Sequence, residues 1–526
     1  MELKHISEIS LETTRGQGER SRLAISILFI AAVVLYVVWN PSISGDVIVA
    51  VAAMVGAYMA MNIGANDVAN NVGPAVGSKA LPMIWALIIA AIFEAAGALI
   101  AGGDVVDTIR SGIIDPQAIP DANTFIWLML ASLLAGAIWL NLATAVGAPV
   151  STTHSIVGAV VGAGMAASGM AAVDWIQLGN IALSWIVSPL LGGIVAAGFL
   201  YLIKHTITYK QNKAEAARTV VPWVIATMAW TFSTYLLLKG LSKIWKVGFV
   251  EASGIGLVVA VVVFLWLRAR FKRADKSIAN SKEGVNQLFT IPLICAAALL
   301  SFAHGSNDVA NAIGPLAAIV DTARSGAMTG SASVPLWIMV VGGIGIALGL
   351  ALYGPKLIRT VGSEITELDQ MRAFCIAMAA TVTVIVASQL GLPVSSTHIA
   401  VGGVFGVGFL REYLKTNYAR MIEEIKRHHK KADRAEIDEF MKRFEKADIQ
   451  EKGDMLRELK QRQKEKDEQM APLSKNERKS LRSVYKHELV KRSQIYRIAA
   501  AWVITVPASA LLSAMLFYML RGMLLP

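Results

Sequence analysis

The amino-acid sequence predicts an all-α polytopic membrane protein of about 12–13 membrane elements, with two homologous, inverted repeats and broken or re-entrant helices. Composition is the first observation behind this. The 526 residues are 55% hydrophobic and 17% charged, where water-soluble domains carry about 25% charged residues. The charge is also concentrated, since 41 of the 87 Asp, Glu, Lys and Arg residues fall between Arg411 and Arg492. The rest of the chain has too little polar surface for a large soluble body. Recurrent apolar runs near the roughly 20 residues that cross a bilayer are the second observation. A pair of polar motifs that occurs twice is the third.

Along the chain, residues 1–46 combine a mixed polar tail with an apolar run, Leu23–Trp39, that follows Arg20 and Arg22. The run is long and is followed by Asn40-Pro41-Ser42, a poor cleavage pattern, so it reads as a span and not a leader. A first repeat, 47–218, holds apolar runs at 47–64, 81–101, 124–146, 150–171 and 176–203. A linking hairpin and basic loop, 219–286, adds runs at 219–239 and 248–268. The second repeat, 287–411, holds runs at 287–303, 335–354, 371–391 and 394–411. A charged insert, 412–493, with apolar residues at helical spacing is expected to form a solvated helical hairpin, and 494–526 supplies a C-terminal span.

Charge places these pieces relative to the membrane. Lys204, Lys210, Lys213 and Arg218 precede the linking pair of spans, and Arg268, Arg270, Lys272, Arg273, Lys276 and Lys282 follow it. Both loops, and the 412–493 insert, are expected on the cytoplasmic side, although Lys239, Lys243 and Lys246 lie opposite. The net charge of +11 therefore records membrane orientation and not a nucleic-acid partner. Cys295 and Cys375 both lie in apolar stretches and read as small packing residues, with no disulfide or zinc pattern.

The duplication is specific. Gly64 to Pro74 reads GANDVANNVGP and Gly305 to Pro315 reads GSNDVANAIGP, identical at eight of eleven positions. Gly147 to Gly158 reads GAPVSTTHSIVG and Gly391 to Gly402 reads GLPVSSTHIAVG, so both the order and the spacing of the motifs repeat. Seven crossings between the repeat starts, an odd number, would place the two copies in opposite orientations.

Each motif implies chemistry. Asn66, Asp67, Asn70 and Asn71, matched by Asn307, Asp308 and Asn311, place amides and a carboxylate in apolar surroundings with no Lys or Arg inside either motif. A buried carboxylate needs compensation, so a small hard cation at Asp67 and Asp308, or a proton, is one candidate partner. In the second motif, Pro149 and Pro393 break a helix before Ser151, Thr152 and Thr153, and before Ser395, Ser396 and Thr397. A helix start within the membrane offers N–H donors and a positive dipole end to an oxyanion. Carboxylates beside an oxyanion repel it unless a cation binds too, and that reciprocity is the physics of symport. His154 and His398 are expected to fix the broken helices, Glu94 to couple a cation, and Asp104, Asp107 and Arg110 to lie at a membrane interface.

At these two motif pairs, from roughly Val47 to Phe409, the sequence resembles the inorganic phosphate transporter (PiT) family, whose members carry GxNDxANxxGP-like and PVSxTH-like signatures in both halves. The resemblance implies a secondary active transporter that imports inorganic phosphate with sodium or protons across the cell membrane. Carried over by motif, Ser151, Thr152, Thr153, Ser395, Ser396, Thr397, Asn66 and Asn307 become the expected substrate-binding residues. Asp67, Asp308, Asn70, Asn311 and Glu94 become the cation-coupling set. No cofactor and no enzymatic activity are expected. The extra leading span, the 412–493 insert and the change of Asn71 to Ala312 depart from the compact pattern, the last suggesting an asymmetric cation site.

Alternatives stay open at this stage: a sulfate permease of the same architecture, since some family members move sulfate, an anion channel, or a membrane enzyme on a phosphorylated substrate. The lipid bilayer is the surrounding partner. A homodimer, and a regulatory protein on the 412–493 insert, are further candidate partners.

Overall fold

The computed structural model describes residues 2–40, 43, 47–67, 69–240, 245, 247–273, 279–328, 334–364, 368–427 and 492–523. Most of the 412–493 insert, and with it the expected helical hairpin, lies outside these residues. Among the described residues the secondary structure is helical apart from one isolated β-bridge, Ile114 with Val173. Eleven helices among the described residues are long and apolar enough to cross a membrane.

The chain begins with α1 (Glu2–Trp39), which packs on α2 (Val47–Asn66). Then come α3 (Ala69–Gly77), α4 (Met83–Ala101) and the short α5 (Gly103–Ser111). Next are α6 (Ala122–Val146), α7 (Thr152–Ser168) and α8 (Trp175–Ile203). A hairpin of α9 (Lys213–Tyr235) and α10 (Phe249–Arg273) follows, then α11 (Lys282–Leu288), α12 (Thr290–Asp308) and α13 (Ala310–Ser325). The chain continues through α14 (Leu336–Glu364), α15 (Gln370–Gln389) and α16 (Ser396–Arg427) to α17 (Arg492–Met523). Neither α7, at 17 residues, nor α16 is among the eleven candidates; both begin inside a hydroxyl motif.

The sequence places the ends of two apolar runs at 64 and 303, ahead of the acidic motifs. The helices instead run on through Asn66 and Asp308 before they break. Within α2 and α12 most side chains are buried, so the polar residues finish their helices inside protein and not at an interface. The other break has a clear local cause. Gly147 and Gly391 both take left-handed φ, +74° and +65°, which ends the preceding helix, and Pro149 and Pro393 cannot continue it.

Packing between the halves follows one rule twice. α2 lies against α14, and α12 against α4. A β-carbon at Gly64 would overlap the Ile346 carbonyl, and one at Gly305 would overlap the Glu94 carbonyl. Similarly, Gly158 and Gly162 of α7 press against Val506 and Ala510 of α17, while Gly402 and Gly406 of α16 press against Pro189 and Gly193 of α8. The C-terminal span thus stands to the first hydroxyl helix as α8 stands to the second. In an apolar medium such approach, available only to small residues, supplies the van der Waals contact that holds helices together.

Two expectations need correction here. Cys295 is exposed on α12, because that face turns outward where apolar residues suit lipid; Cys375 is buried. Arg110 is buried and ion-paired with Asp321 of α13 instead of lying at an interface, because α5 folds back against α13.

Candidate functional site

Asp67 and Asp308 sit at the breaks between α2 and α3 and between α12 and α13. At the first break the Asp67 N–H still reaches Ile63 O (2.9 Å), while the Asn70 side chain donates to Asp67 O (2.9 Å). The Asn70 backbone N–H donates to the same carbonyl (3.0 Å), so the side-chain amide adds a second hydrogen bond that secures the break.

The hydroxyl residues meet these aspartates both within each half and across the repeat boundary. Thr152 Oγ1 donates to Asp67 Oδ2 (2.6 Å) and lies 3.3 Å from Asp308 Oδ2. Thr397 Oγ1 donates to Asp67 Oδ1 (2.6 Å), and Ser396 Oγ to Asp308 Oδ2 (3.4 Å). The asparagines cross as well. Asn70 Nδ2 donates to Thr397 Oγ1 (2.8 Å), and Asn311 Nδ2 lies 3.2 Å from both Thr152 Oγ1 and Thr153 Oγ1. Thr153 Oγ1 donates to Val394 O (3.0 Å), so the two broken segments touch directly. All these side chains are buried.

Ser151 and Ser395 do different work. Their hydroxyl oxygens accept from the backbone N–H of His154 (3.1 Å) and His398 (3.2 Å), capping the two helix starts. His154 Nδ1 lies 2.7 Å from Ser151 Oγ, and its ring stacks on Trp185 at 3.7 Å and approaches His398 at 4.4 Å. Trp185 Nε1 donates to Pro393 O (3.3 Å), so one indole touches both broken segments.

Asn66 and Asn307 frame the site. Asn66 Nδ2 donates to Thr144 Oγ1 (2.9 Å) and Ala148 O (3.2 Å), and its Oδ1 accepts from Val150 N (3.1 Å). Asn307 repeats this, donating to Ser388 Oγ (3.0 Å) and Leu392 O (3.2 Å) and accepting from Val394 N (3.4 Å). These amides are spent on pinning each acidic break to the hydroxyl break of its own half.

Sequence inspection passed over His304. Its Nε2 lies 3.0 Å from Asp308 Oδ2 and 4.0 Å from Asp67 Oδ2, and its Nδ1 lies 2.8 Å from Glu94 Oε2. Asn71 Nδ2 donates to the other Glu94 oxygen (2.6 Å). Glu94 therefore reaches the aspartates through His304 and not directly. One signal was available: His304 precedes Asp308 by four residues, hence on the same helix face, but the first copy has Ile63 there and the duplication does not flag it.

Among the described residues, several buried acceptors have no hydrogen-bond partner: Asp308 Oδ1, Asn70 Oδ1 and Asn311 Oδ1. Such oxygens are costly unless a donor or cation meets them. Ligand atoms of Asp67, His304 and Asp308 all lie within 4.8 Å of one another. The carboxylate and amide oxygens here suit a hard cation, and two capped helix starts with hydroxyls beside them suit an oxyanion.

Comparison with known proteins identifies the relatives of the chain. A model of the phosphate transporter family matches residues 63–513. The chain is similar to a protein of Helicobacter pylori (strain J99) named as a phosphate permease, 53% identical over 526 residues and covering 98% of each chain. It is also similar to one so named in Thermococcus kodakarensis, 42% identical over 361 residues, covering 68% of this chain and 87% of the other. Among solved structures, one described as the sodium-dependent phosphate transporter aligns with a TM-score of 0.73 and 29% identity, covering 91% of this chain and all of the other. The matched family is a transporter family and not an enzyme class.

Proposed function

The chain belongs to the phosphate transporter family, and from that premise we propose that it imports inorganic phosphate across the cell membrane by symport with sodium. The observation that carries this reading is that hydroxyls of both halves, Thr152 and Thr397, bond the one carboxylate of Asp67, while Thr152 also lies 3.3 Å from Asp308, which Ser396 bonds from its own half. One buried centre, contributed by both halves, then serves anion and cation together.

In this reading sodium is held at two positions, one against Asp67 and one against Asp308, helped by the amide oxygens of Asn70 and Asn311, which have no partner among the described residues. Phosphate is held by the opening N–H groups of α7 and α16 and by the hydroxyls of Thr152, Thr153, Ser396 and Thr397. Ser151 and Ser395 cap those helix starts, and Asn66 and Asn307 position them. A cation against the carboxylates removes their repulsion of phosphate, and phosphate in turn favours the cation. Such coupling is typically about 1–3 kcal/mol. Rocking of one repeat against the other, with the repeats inverted, would expose the centre alternately to each side.

The test is phosphate uptake into proteoliposomes with sodium and proton gradients imposed separately. Accumulation driven by sodium and undiminished by excess sulfate is the expected result. Accumulation driven by protons alone would reassign the coupling ion. Uptake displaced by sulfate would make the chain a sulfate permease, and flux indifferent to both gradients would make it a channel.

A further inference from the structure

The polar cluster that ends 3.0 Å from Asp308 is built at positions whose repeat counterparts are apolar. The paired close approaches of Gly64 to Ile346 and of Gly305 to Glu94 make positions 346 and 94 repeat-related, and those of Gly349 to Met61 and of Gly97 to Phe302 give the same correspondence. Positions 63 and 304 each precede their aspartate by four residues, and 71 and 312 each follow it by four. One trio is therefore Asn71, Glu94 and His304, and its partner trio is Ala312, Ile346 and Ile63, all buried. The first is joined by contacts of 2.6 Å and 2.8 Å and ends 3.0 Å from Asp308; the second is wholly apolar.

We propose that the trio of Asn71, Glu94 and His304 makes the two repeat-related aspartates unequal as cation ligands, so that the Asp308 side binds its sodium more weakly than the Asp67 side. The inference rests on the cation-coupled reading above and adds to it a determinant of cation affinity. His304 Nε2 lies 3.0 Å from Asp308 Oδ2 against 4.0 Å from Asp67 Oδ2, and the repeat-related position, Ile63, carries only an alkyl side chain. A ring N–H and a cation compete for the same carboxylate lone pairs, whereas an alkyl group does not compete. Glu94, held by Asn71, fixes the ring through its other nitrogen, as an outer carboxylate orients a ligand histidine. Glu94 and Asn71 are in this sense positioning residues.

The experiment installs the apolar trio of the other half, as Asn71→Ala, Glu94→Ile and His304→Ile together, and measures phosphate uptake in proteoliposomes against sodium concentration. The half-saturating sodium concentration should fall by roughly tenfold and the sodium dependence should steepen, with the KM for phosphate at saturating sodium unchanged. The reciprocal variant, Ile63→His, Ile346→Glu and Ala312→Asn, should raise it. An unchanged half-saturation, a parallel change in phosphate KM, or a folded triple variant without uptake would overturn the proposal. Sodium titration of the purified protein supplies a measurement independent of these variants. Two classes of site are expected, the tighter lost in Asp67→Asn and the weaker in Asp308→Asn, and a single class or the reverse assignment also overturns the proposal. Wild-type uptake that ignores sodium would instead remove the coupled-transport reading itself.

Discussion

Asp67 accepts a 2.6 Å hydrogen bond from Thr397, a residue 330 positions away in the other half of the chain. Neither half can build the centre alone: the first lends its carboxylate to a hydroxyl of the second, and Asn311 returns the contact to Thr152 and Thr153. Any movement that separates the repeats must break these bonds, so occupancy of the centre and the relative position of the halves are linked.

Replacing either aspartate by its amide tests the cation role. Asp67→Asn and Asp308→Asn should each reduce sodium-driven phosphate accumulation by roughly tenfold or more, equivalent to about 1.4 kcal/mol of coupling. The protein should remain folded and inserted, because the amide keeps the side-chain shape. Proteoliposome uptake alongside size-exclusion behaviour of the purified variants checks both halves of this expectation.

The threonines should separate anion from cation effects. Thr153 bonds Val394 O and Asn311 but neither aspartate, so Thr153→Val should raise the phosphate KM with little change in sodium half-saturation. Thr397 donates directly to Asp67, so Thr397→Val should shift both. A lost hydrogen bond to a charged group costs about 1.5–3 kcal/mol, roughly tenfold or more in the affected constant. Uptake kinetics varied in phosphate and in sodium separately give the answer.

Close helix packing predicts a stability effect without a ligand. Gly305→Ala puts a methyl group against the Glu94 carbonyl, and Gly64→Ala does the same at Ile346. The opposing atoms are backbone and cannot rotate away, so each variant should lose about 1–3 kcal/mol or more. Thermal unfolding in detergent should show a lowered midpoint for both, while Gly179→Ala, where an added β-carbon meets nothing within 4 Å, should leave it near wild type.

Inversion of the repeats is open to direct measurement. A reporter inserted at Gly45 and another at Gly284 should be found on opposite sides of the membrane. Accessibility of both from one side would show that the repeats run parallel, and the rocking scheme would fail with it.

The extent to which the site was legible follows from the range of the interactions involved. Asp67, Asp308 and the hydroxyl runs stand out because polar residues in apolar stretches are rare and these occur twice. Glu94 was visible as a lone acid. His304, which joins it to Asp308, was not, because it lies just ahead of the motif at a position where the first copy has Ile63.

By itself the sequence determined the membrane class, the duplicated motifs and the helix breaks at Pro149 and Pro393. Each depends on hydropathy or backbone chemistry within a few residues. Only the tertiary structure decided that Asn66 and Asn307 pin the breaks, that hydroxyls of one half serve the aspartate of the other, and that α17 backs α7. Those outcomes depend on which helix faces can approach closely enough to touch. That is set by packing between segments far apart in the chain, where no local pattern records the partner.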